Sequence, residues 1–413
     1  MNVAIIGAGA AGCLSAIQIK RNNPKVNVTV YEAGIKPLIK VAITGGGRCN
    51  LTNSFDGIRS LDEAYPRGAR LLKRLFRTFD YSDVYQWFES EGVSLTTQDD
   101  ECVFPVSQDA MEIVNTLVRL MRILGVKVIT RHRVAAINHE AEDCEYLLTF
   151  SHGDVAKADA VVVTAGGSPQ VRGLEMYEKL GLEIVSPVPS LFSLNLEKNH
   201  PMTALMGTVV NDVQARLVGT KLSAFGPLLI THWGVSGPAI LKLSSYAARI
   251  LAENDYKAQV AINWFGQANE AEVMRIITEI AEQNQKKLVS SVWPERFNNR
   301  MWCYLIDACG LRQDMRWGEL GKKGLNKLVA LLTNHTLNIV GKNKYKEEFV
   351  TCGGVALSNV NPSTLESKKH PHLYFAGEIL DVDAITGGFN LQAAWTMGYV
   401  VAEQFTIDGT FLF

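Results

Sequence analysis

Short apolar runs alternate along this chain with segments of helical periodicity. The runs at 2–6 and 159–165 are typical of strands buried on both faces of a parallel sheet. Between them, residues 110–124 carry apolar side chains at the spacing of one helix face, which predicts a helix. The same patterns predict strands at 26–31, 126–129, 134–139, 146–151 and 372–376, and helices at 14–20, 72–91 and 389–404. Strands and helices that alternate in this way predict an α/β fold.

Glycines at the end of the first predicted strand indicate a ligand-binding turn. Gly7, Gly9 and Gly12 have the spacing G-x-G-x-x-G. In such turns the first glycine permits the tight turn, the second lets backbone approach a pyrophosphate, and the third lets the helix pack against the strand. The second predicted strand ends at Glu32, 20 residues after Gly12, where an acid can bind an adenosine ribose. The spacing predicts a dinucleotide-binding fold, and the alternative is a purely structural turn.

A second glycine-rich segment, GGGRCNLTN at 45–53, follows Glu32. Consecutive glycines cost conformational entropy, so they are not typical of a core. We interpret the segment as a loop pressed against a cofactor, with backbone amides exposed and Arg48 or Asn50 reaching polar groups. The alternative is an ordinary flexible surface loop.

The middle of the chain changes character at about residue 187. Strand-like pieces at 191–194, 207–217, 227–231 and 259–263 precede a more helical stretch at 270–332. No second G-x-G-x-x-G occurs, so we expect one dinucleotide fold. The predicted domains are a first part at 1–187 completed by 346–413, a β-rich insert at 188–266 and 329–345, and a helical subdomain at 267–328.

The C-terminal segment returns to α/β character. The predicted strand at 372–376 ends in Gly377 and Glu378, and Gly387 and Gly388 precede the last predicted helix. Glu378 is a candidate to bind the ribityl hydroxyls of a flavin. The N-terminus of the helix is a candidate to face the pyrimidine edge of the flavin ring, because its dipole stabilises negative charge. The alternative is that this strand and helix only pack within the fold and bind no flavin.

Composition narrows the classes of function. The net charge of −1 gives no general attraction to nucleic acid or to an anionic membrane, so neither is expected as a partner. No apolar run approaches the roughly 20 residues that span a bilayer. Seven cysteines without C-x-x-C or zinc spacing predict reduced thiols and no metal site. A strand that begins directly after Met1 leaves no room for a signal peptide, so we expect a cytoplasmic protein. The sequence indicates no oligomeric state.

Six blocks of sequence, in order along nearly the whole chain, resemble the BaiN/YhiN-type family of FAD-dependent oxidoreductases. The blocks are 7–12, GGGRCNLTN at 45–53, VFPV at 103–106, THWGVSGP at 231–238, TLESK at 364–368 and FAGEILDVDAITGGFNLQ at 375–392. The resemblance implies a Rossmann-like FAD-binding domain built from both chain ends. It also implies an inserted β-barrel-like domain with a small helical subdomain.

The resemblance also implies a set of residues that bind FAD. They are Gly7, Gly9, Ala10, Ala11, Gly12, Glu32, Lys40, Gly46, Gly47, Arg48, Cys49, Asn50, Val134, Ala165, Gly166, Gly377, Glu378, Asp381, Gly388, Asn390 and Leu391. The chain departs from the family pattern in two places. The segment 168–173 is shorter than the expected continuation, so no contact is carried over there. Cys352 stands where alanine is expected.

The resemblance implies hydride transfer between a small organic substrate and the flavin. One form is a reductase of unsaturated carbonyl or steroid-like compounds, with NAD(P)H docking transiently as electron donor. The alternatives are an amine-type oxidase that uses oxygen, an RNA-modifying flavoprotein and a non-catalytic FAD-binding regulator. The net charge counts against RNA, although lysines between Lys322 and Lys346 could form a local basic patch.

Two residues are candidates for chemistry beside the flavin. His232, in the turn-rich THWGVSGP block, is a candidate proton donor or substrate contact, because histidine titrates near pH 6.5. The alternative is a histidine packed beside Trp233. Cys49 is a candidate flavin-lining thiol, and a redox pair with Cys352 is the less favoured alternative.

Overall fold

The computed structural model describes residues 1–140, 145–168, 170–343 and 350–407. The chain forms two compact units, one from Met1–Val188 with Val350–Phe413 and one from Pro189–Phe349. The predicted boundary at 345/346 lies outside the described residues.

The strands are β1 (Asn2–Ile6), β2 (Asn27–Tyr31), β3 (Thr52–Asn53), β4 (Leu95–Thr97), β5 (Cys102–Pro105), β6 (Lys127–Ile129), β7 (Val134–Glu140), β8 (Glu145–Phe150), β9 (Val155–Ala158), β10 (Ala160–Val163), β11 (Ile184–Ser190), β12 (Leu194–Leu196), β13 (Val209–Leu217), β14 (Ser223–Ile230), β15 (Gly234–Ser236), β16 (Ala258–Asn263), β17 (His335–Lys342), β18 (Val350–Val355) and β19 (Leu373–Phe375). The helices are α1 (Ala10–Asn22), α2 (Ile39–Gly47), α3 (Leu61–Ala64), α4 (Ala69–Leu75), α5 (Tyr81–Ser90), α6 (Ala110–Ile123), α7 (Glu175–Lys179), α8 (Pro238–Tyr246), α9 (Ala248–Glu253), α10 (Glu270–Gln283), α11 (Asn299–Ala308), α12 (Gly321–Thr333) and α13 (Phe389–Ala402).

A five-stranded parallel sheet forms the centre of the first unit, in the order β19-β10-β1-β2-β6. All four residues of β10 are buried, as are the last four of β1, which is typical of parallel strands covered on both faces. The apolar runs therefore predicted these strands correctly. The carboxyl ends of β1, β10 and β19 lie side by side, at the edge where parallel α/β sheets bind their ligands.

The two ends of the chain meet in one core. Helix α1 packs along α13, and a Cβ on Gly398 would lie 2.6 Å from the Ala11 carbonyl oxygen, so only glycine allows this approach. The Ser15 hydroxyl donates to the Gly398 carbonyl at 2.9 Å and satisfies a buried polar group. The α/β fold with a Rossmann-like domain built from both chain ends is thus confirmed.

One helix prediction was wrong. The segment predicted as a single helix over 72–91 forms α4 and α5 with a break between them. Asp80 and Asp83 form a capping box at the start of α5, since the side chain of each accepts from the other's backbone amide. This local signal ends one helix and starts the next, which overrides the continuous apolar periodicity.

The second unit contains a closed barrel of six strands in the order β12-β15-β14-β13-β16-β17. The predicted barrel-like insert is therefore present. Helices α10, α11 and α12 contribute to the same buried core as the barrel strands. Helix α12 runs across the predicted boundary at 328/329, and the limits of a separate helical subdomain stay a prediction.

Candidate functional site

The three glycines of the first turn differ in what surrounds them. A Cβ on Gly7, whose φ is +103°, would lie 2.5 Å from the Thr164 carbonyl oxygen. A Cβ on Gly12 would lie 2.1 Å from the Gly7 carbonyl oxygen. Both positions therefore require glycine for packing within the protein. A Cβ on Gly9 would meet nothing within 4 Å, so open space lies beside this residue.

The open space lies at the N-terminus of α1. Gly9 is the N-cap residue and provides no side-chain cap to the first turn of the helix. The amides of a first turn have no intrahelical partner, so they can bind an anion. Ala10 and Ala11 belong to this turn and are buried, with no charged group in the turn. The geometry fits a pyrophosphate group.

Glu32 is held at the end of β2 by backbone amides. Its carboxylate accepts from the Ala8 amide at 2.8 Å and from the Gly34 amide at 2.6 Å. A carboxylate has about four lone-pair sites, so two further donors can bind. The Ala8 bond joins Glu32 directly to the glycine turn, which places acid and turn in one site.

A second pair of predicted residues meets across the chain. The Lys40 Nζ atom lies 3.1 Å from the Glu378 Oε2 atom, which links α2 to the segment after β19. The other Glu378 oxygen accepts from the Thr351 amide at 2.8 Å. Lys40 is well exposed, so this ion pair contributes little to stability and is free to exchange partners.

The GGGRCN segment is a tight irregular turn at the end of α2, so the predicted loop is present, and its contact with a cofactor stays a prediction. Within α2, Gly45 and Gly46 have φ values of +59° and +69° and break the helical geometry. Open space lies beside Gly46 and Gly47. Arg48 places its guanidinium 4.4 Å from the centre of the Phe104 ring, a cation–π contact that ties this turn to β5.

Cys49 is fully buried in a left-handed conformation, with φ of +61°. Burial raises the pKa of its thiol to about 12, so the thiol is protonated at neutral pH. No disulfide joins Cys49 and Cys352. Without a thiolate, Cys49 is not poised as a nucleophile.

The turn before α13 closes against the GGGRCN segment. A Cβ on Gly388 would lie 2.3 Å from the Thr52 carbonyl oxygen, so the two backbones are in direct contact. The Asn50 amide fits between them, donating to the Thr52 carbonyl at 3.0 Å and accepting from the Gly388 amide at 3.3 Å. Asn390 holds the preceding loop by exchanging hydrogen bonds with the Ala384 backbone at 2.9 and 3.1 Å.

The remaining predicted residues lie in the same unit, apart from His232. Val134 is buried at the start of β7, whereas Ala165 is exposed and Gly166 has φ of +75° with open space beside it. Leu391, Asp381 and Gly377 are on or near the segment between β19 and α13, at the carboxyl end of the sheet. His232 belongs to the second unit, where it is exposed and its ring packs edge-on against Trp233 at 4.2 Å.

Tertiary structure adds residues that sequence patterns missed. The Thr164 hydroxyl donates to the carbonyls of Ile6 and Gly7, at 3.0 and 2.8 Å, and so fixes the turn. Its place at the end of a buried strand was the available signal. Arg67 forms a buried ion pair with Asp383, whose side chain is fully covered. No local motif indicates that pair, because its members are more than 300 residues apart.

A cluster of aromatic rings lies beside Val134. His132, His152 and Asp154 place their potential ligand atoms within 4.8 Å of one another, the one such group in the residues that the structure describes. The rings of His132 and Phe150 pack edge-on at 5.1 Å, and Tyr31 packs on Phe150 at 4.8 Å. Aromatic packing accounts for the placement of these histidines, which no spacing in the sequence predicted.

A parallel sheet, an uncapped glycine turn and an acid at the end of the second strand define a dinucleotide-binding protein of the Rossmann type. The family model described as "HI0933-like protein Rossmann domain" matches residues 1–404, so the chain belongs to this family and is an FAD-dependent oxidoreductase. The predicted family resemblance is confirmed. None of the described helices is long and apolar enough to cross a membrane.

Two kinds of relative are similar to this chain over almost its whole length. The chain is 27% identical to a 3-dehydro-bile acid delta(4,6)-reductase of Clostridium scindens, covering 97% of this chain and 98% of the relative. It is also 27% identical to a ribosomal RNA dihydrouridine synthase of Escherichia coli, covering 97% and 96%. Among solved structures, a 3-ketosteroid-delta4-(5alpha)-dehydrogenase of Rhodococcus jostii has a TM-score of 0.50 at 13% identity, covering 97% and 96%. That likeness supports the fold.

Proposed function

We propose that FAD binds along the carboxyl end of the parallel sheet in the first unit. The pyrophosphate would lie against Gly9 and the first turn of α1, where open space and uncapped amides coincide. Glu32 would bind the adenosine ribose with its free lone pairs. The open glycine turn beside a fixed carboxylate is the observation that carries this proposal.

The flavin end would be held by residues from both chain ends. Lys40 and Glu378 would reach polar groups of the ribityl chain and ring, since their ion pair is exposed and exchangeable. Arg48, Asn50, Gly388 and Leu391 would surround the ring. When bound, FAD supplies two-electron hydride chemistry, and the protein supplies position and electrostatics. The N-terminus of α13 would stabilise negative charge at the ring, because Gly388 gives it no side-chain cap.

The reaction we propose is reduction of a carbon–carbon double bond conjugated to a carbonyl group. The names of both kinds of relative support it, since a delta(4,6)-reductase of a 3-dehydro-bile acid and a dihydrouridine synthase both saturate such a bond. The reaction adds a hydride to the β carbon and a proton to the α carbon. His232 is our candidate for the donor of this proton, which would come from one of its ring nitrogens. A small enone is the substrate class and NAD(P)H the electron donor in this proposal.

We place this reaction in the cytoplasm. No disulfide joins any of the six cysteines within the described part of the chain, which fits a reducing compartment.

The visible spectrum of the purified protein under anaerobic NADH or NADPH tests the reductase proposal. We expect a yellow protein that bleaches with one of these donors and regains its colour when an enone is added. A yellow protein that stays oxidised with both donors but bleaches with an amine would contradict the reductase and support an oxidase. A protein that does not retain added FAD would contradict the whole proposal.

A pair of variants tests the ribose contact. Glu32→Gln keeps the shape of the side chain but removes its charge, so we expect FAD to dissociate about tenfold more readily, as the loss of a charged hydrogen bond predicts. Glu279→Gln, an exposed residue of α10 in the second unit, is the matched control and should bind FAD as the unmodified protein does. Equal FAD affinity in both variants would exclude Glu32 from the ribose site.

A further inference from the structure

A row of positive charge lies on one face of α4 and the residues that follow it. Arg70, Lys73, Arg74 and Arg77 stand at positions i, i+3, i+4 and i+7, which fall on one side of a helix. All four side chains are exposed. The leucines of the same helix, Leu71, Leu72 and Leu75, are buried.

These four cations line a groove of about 700 Å³. Leu357, Pro362 and Ser363, from the segment after β18, also line it. Within the described ranges, no carboxylate forms an ion pair with any of the four. Like charges three and four residues apart destabilise a helix, so helix stability does not explain their presence.

The groove belongs to the unit that carries the proposed FAD site. Helix α4 starts after Gly68, where a Cβ would lie 2.6 Å from a methyl group of Val382. The preceding Arg67 forms the buried ion pair with Asp383. Both contacts attach the start of the basic helix to the loop that leads into α13. The groove is therefore fixed relative to that loop rather than carried on a free segment.

We propose that this groove binds the phosphate backbone of RNA. Four cations spread over about 10 Å of helix suit a series of phosphates better than a single one. Arginine, which supplies three of the four charges, binds phosphate with two parallel hydrogen bonds. The proposal rests on the proposed function, because the uracil ring of RNA contains a carbon–carbon double bond conjugated to a carbonyl, which is the bond that the proposed reaction reduces.

The observations favour RNA over a membrane surface. The leucines beside the cations are buried, so the basic face has no apolar side chains to insert into a bilayer. A concave groove also suits a chain better than a flat surface. The net charge of −1 argued against nucleic acid, but a net value averages over the whole surface and hides a local row of this kind.

Fluorescence anisotropy with a fluorescein-labelled single-stranded RNA of about 20 nucleotides tests the proposal. We expect binding that weakens from 50 to 200 mM KCl, with a log–log slope of about −2.8 if all four cations contact phosphates. In Arg70→Glu/Arg74→Glu we expect at least a roughly tenfold loss of affinity and a slope shallower by about 1.4. Lys322→Glu/Lys323→Glu is the matched control, because both lysines are exposed in the second unit, and it should bind RNA normally.

Three results would overturn the groove proposal: no RNA binding by the unmodified protein, equal loss in the control variant, or tighter binding to phosphatidylserine vesicles than to RNA. Melting temperature checks the fold of each variant, and Arg70→Gln/Arg74→Gln replaces the charge reversal if that variant is unfolded. Enone reduction is measured separately on the unmodified protein. Enone turnover without RNA binding would contradict only the groove, and RNA binding without enone turnover would contradict only the proposed reductase.

Discussion

Two alanine substitutions in the same glycine turn should have opposite consequences. Gly9→Ala adds a methyl group into open space, since no atom lies within 4 Å of the new Cβ. The backbone of Gly9, with φ of −86° and ψ of −168°, is in the extended region that alanine adopts freely. The apoprotein should therefore fold normally and gain about 0.5 kcal/mol, because alanine has less freedom than glycine in the unfolded chain.

Binding of FAD should suffer instead. In the proposed complex the methyl group would occupy the space through which the pyrophosphate approaches the first turn of α1. Loss of one or two charged hydrogen bonds costs about 3 kcal/mol, which corresponds to a roughly 100-fold increase in Kd.

Gly12→Ala should show the reverse order of effects. Its Cβ would lie 2.1 Å from the Gly7 carbonyl oxygen and 2.5 Å from the Thr164 hydroxyl oxygen. One of these atoms belongs to the backbone directly after β1, so relief requires strand and helix to separate. Overpacking of this kind costs about 3 kcal/mol, and the apoprotein itself should melt several degrees lower.

The assay is a titration of FAD into apoprotein, followed by flavin fluorescence, together with thermal melting without FAD. Gly92→Ala is a control, because that glycine also has open space around it but lies after α5. Its φ of +89° means that alanine costs about 1 kcal/mol of stability there, with no effect on FAD. If Gly9→Ala binds FAD as tightly as the unmodified protein, the pyrophosphate does not lie at this turn. If Gly12→Ala melts normally, the packing argument is wrong.

Three further predictions concern the ion pair, a buried histidine and the thiol. Arg67→Leu removes the guanidinium from the covered Asp383 carboxylate and should destabilise the protein by about 3 kcal/mol, whereas Arg67→Leu/Asp383→Leu should recover much of the loss; urea unfolding measures both. Burial, with a smaller effect of the charge on His200, lowers the pKa of His335 to about 4. The folded state therefore holds this imidazole neutral while the unfolded state protonates it near pH 6.5, so stability should fall as the pH drops from about 6.5 to 4 by roughly 3 kcal/mol. His335→Gln should flatten this part of the stability profile, and an unchanged profile would contradict the argument. Cys49→Ala should keep the rate of flavin bleaching by NAD(P)H within about twofold, because its thiol is protonated; stopped-flow absorbance measures the rate, and abolished bleaching in a folded variant would indicate a redox thiol.

Local patterns predicted the central fold well because the signals there are short-range. The uncharged run of β1 and the glycines after it specify a buried strand and a tight turn within twelve residues. The capping box at Asp80 is equally local, but the apolar periodicity continues across it and so does not mark the start of α5. A strong apolar periodicity therefore predicts that a segment is helical but does not locate the residues at which a helix begins and ends.

Contacts between distant parts of the chain were beyond the reach of such patterns. Two ion pairs, Lys40–Glu378 and Arg67–Asp383, join residues that are more than 300 positions apart. No local sequence pattern shows that such distant residues are close in space. Burial is likewise a tertiary property. It decides that the Cys49 thiol is protonated, whereas its place after three glycines suggested only that it lines a ligand.

The sequence by itself determined the α/β class and the position of the glycine turn, because glycine spacing and apolar runs act through local sterics and burial. The family followed from the resemblance of six sequence blocks. Only the tertiary structure decided which glycine leaves room for a ligand, since that depends on whether the neighbouring atoms belong to Thr164, Gly7 or no residue at all. It also decided that four cations share one open groove without carboxylate partners in the described part of the chain. Long-range packing places neighbours around each side chain, and those neighbours determine what the side chain is free to bind.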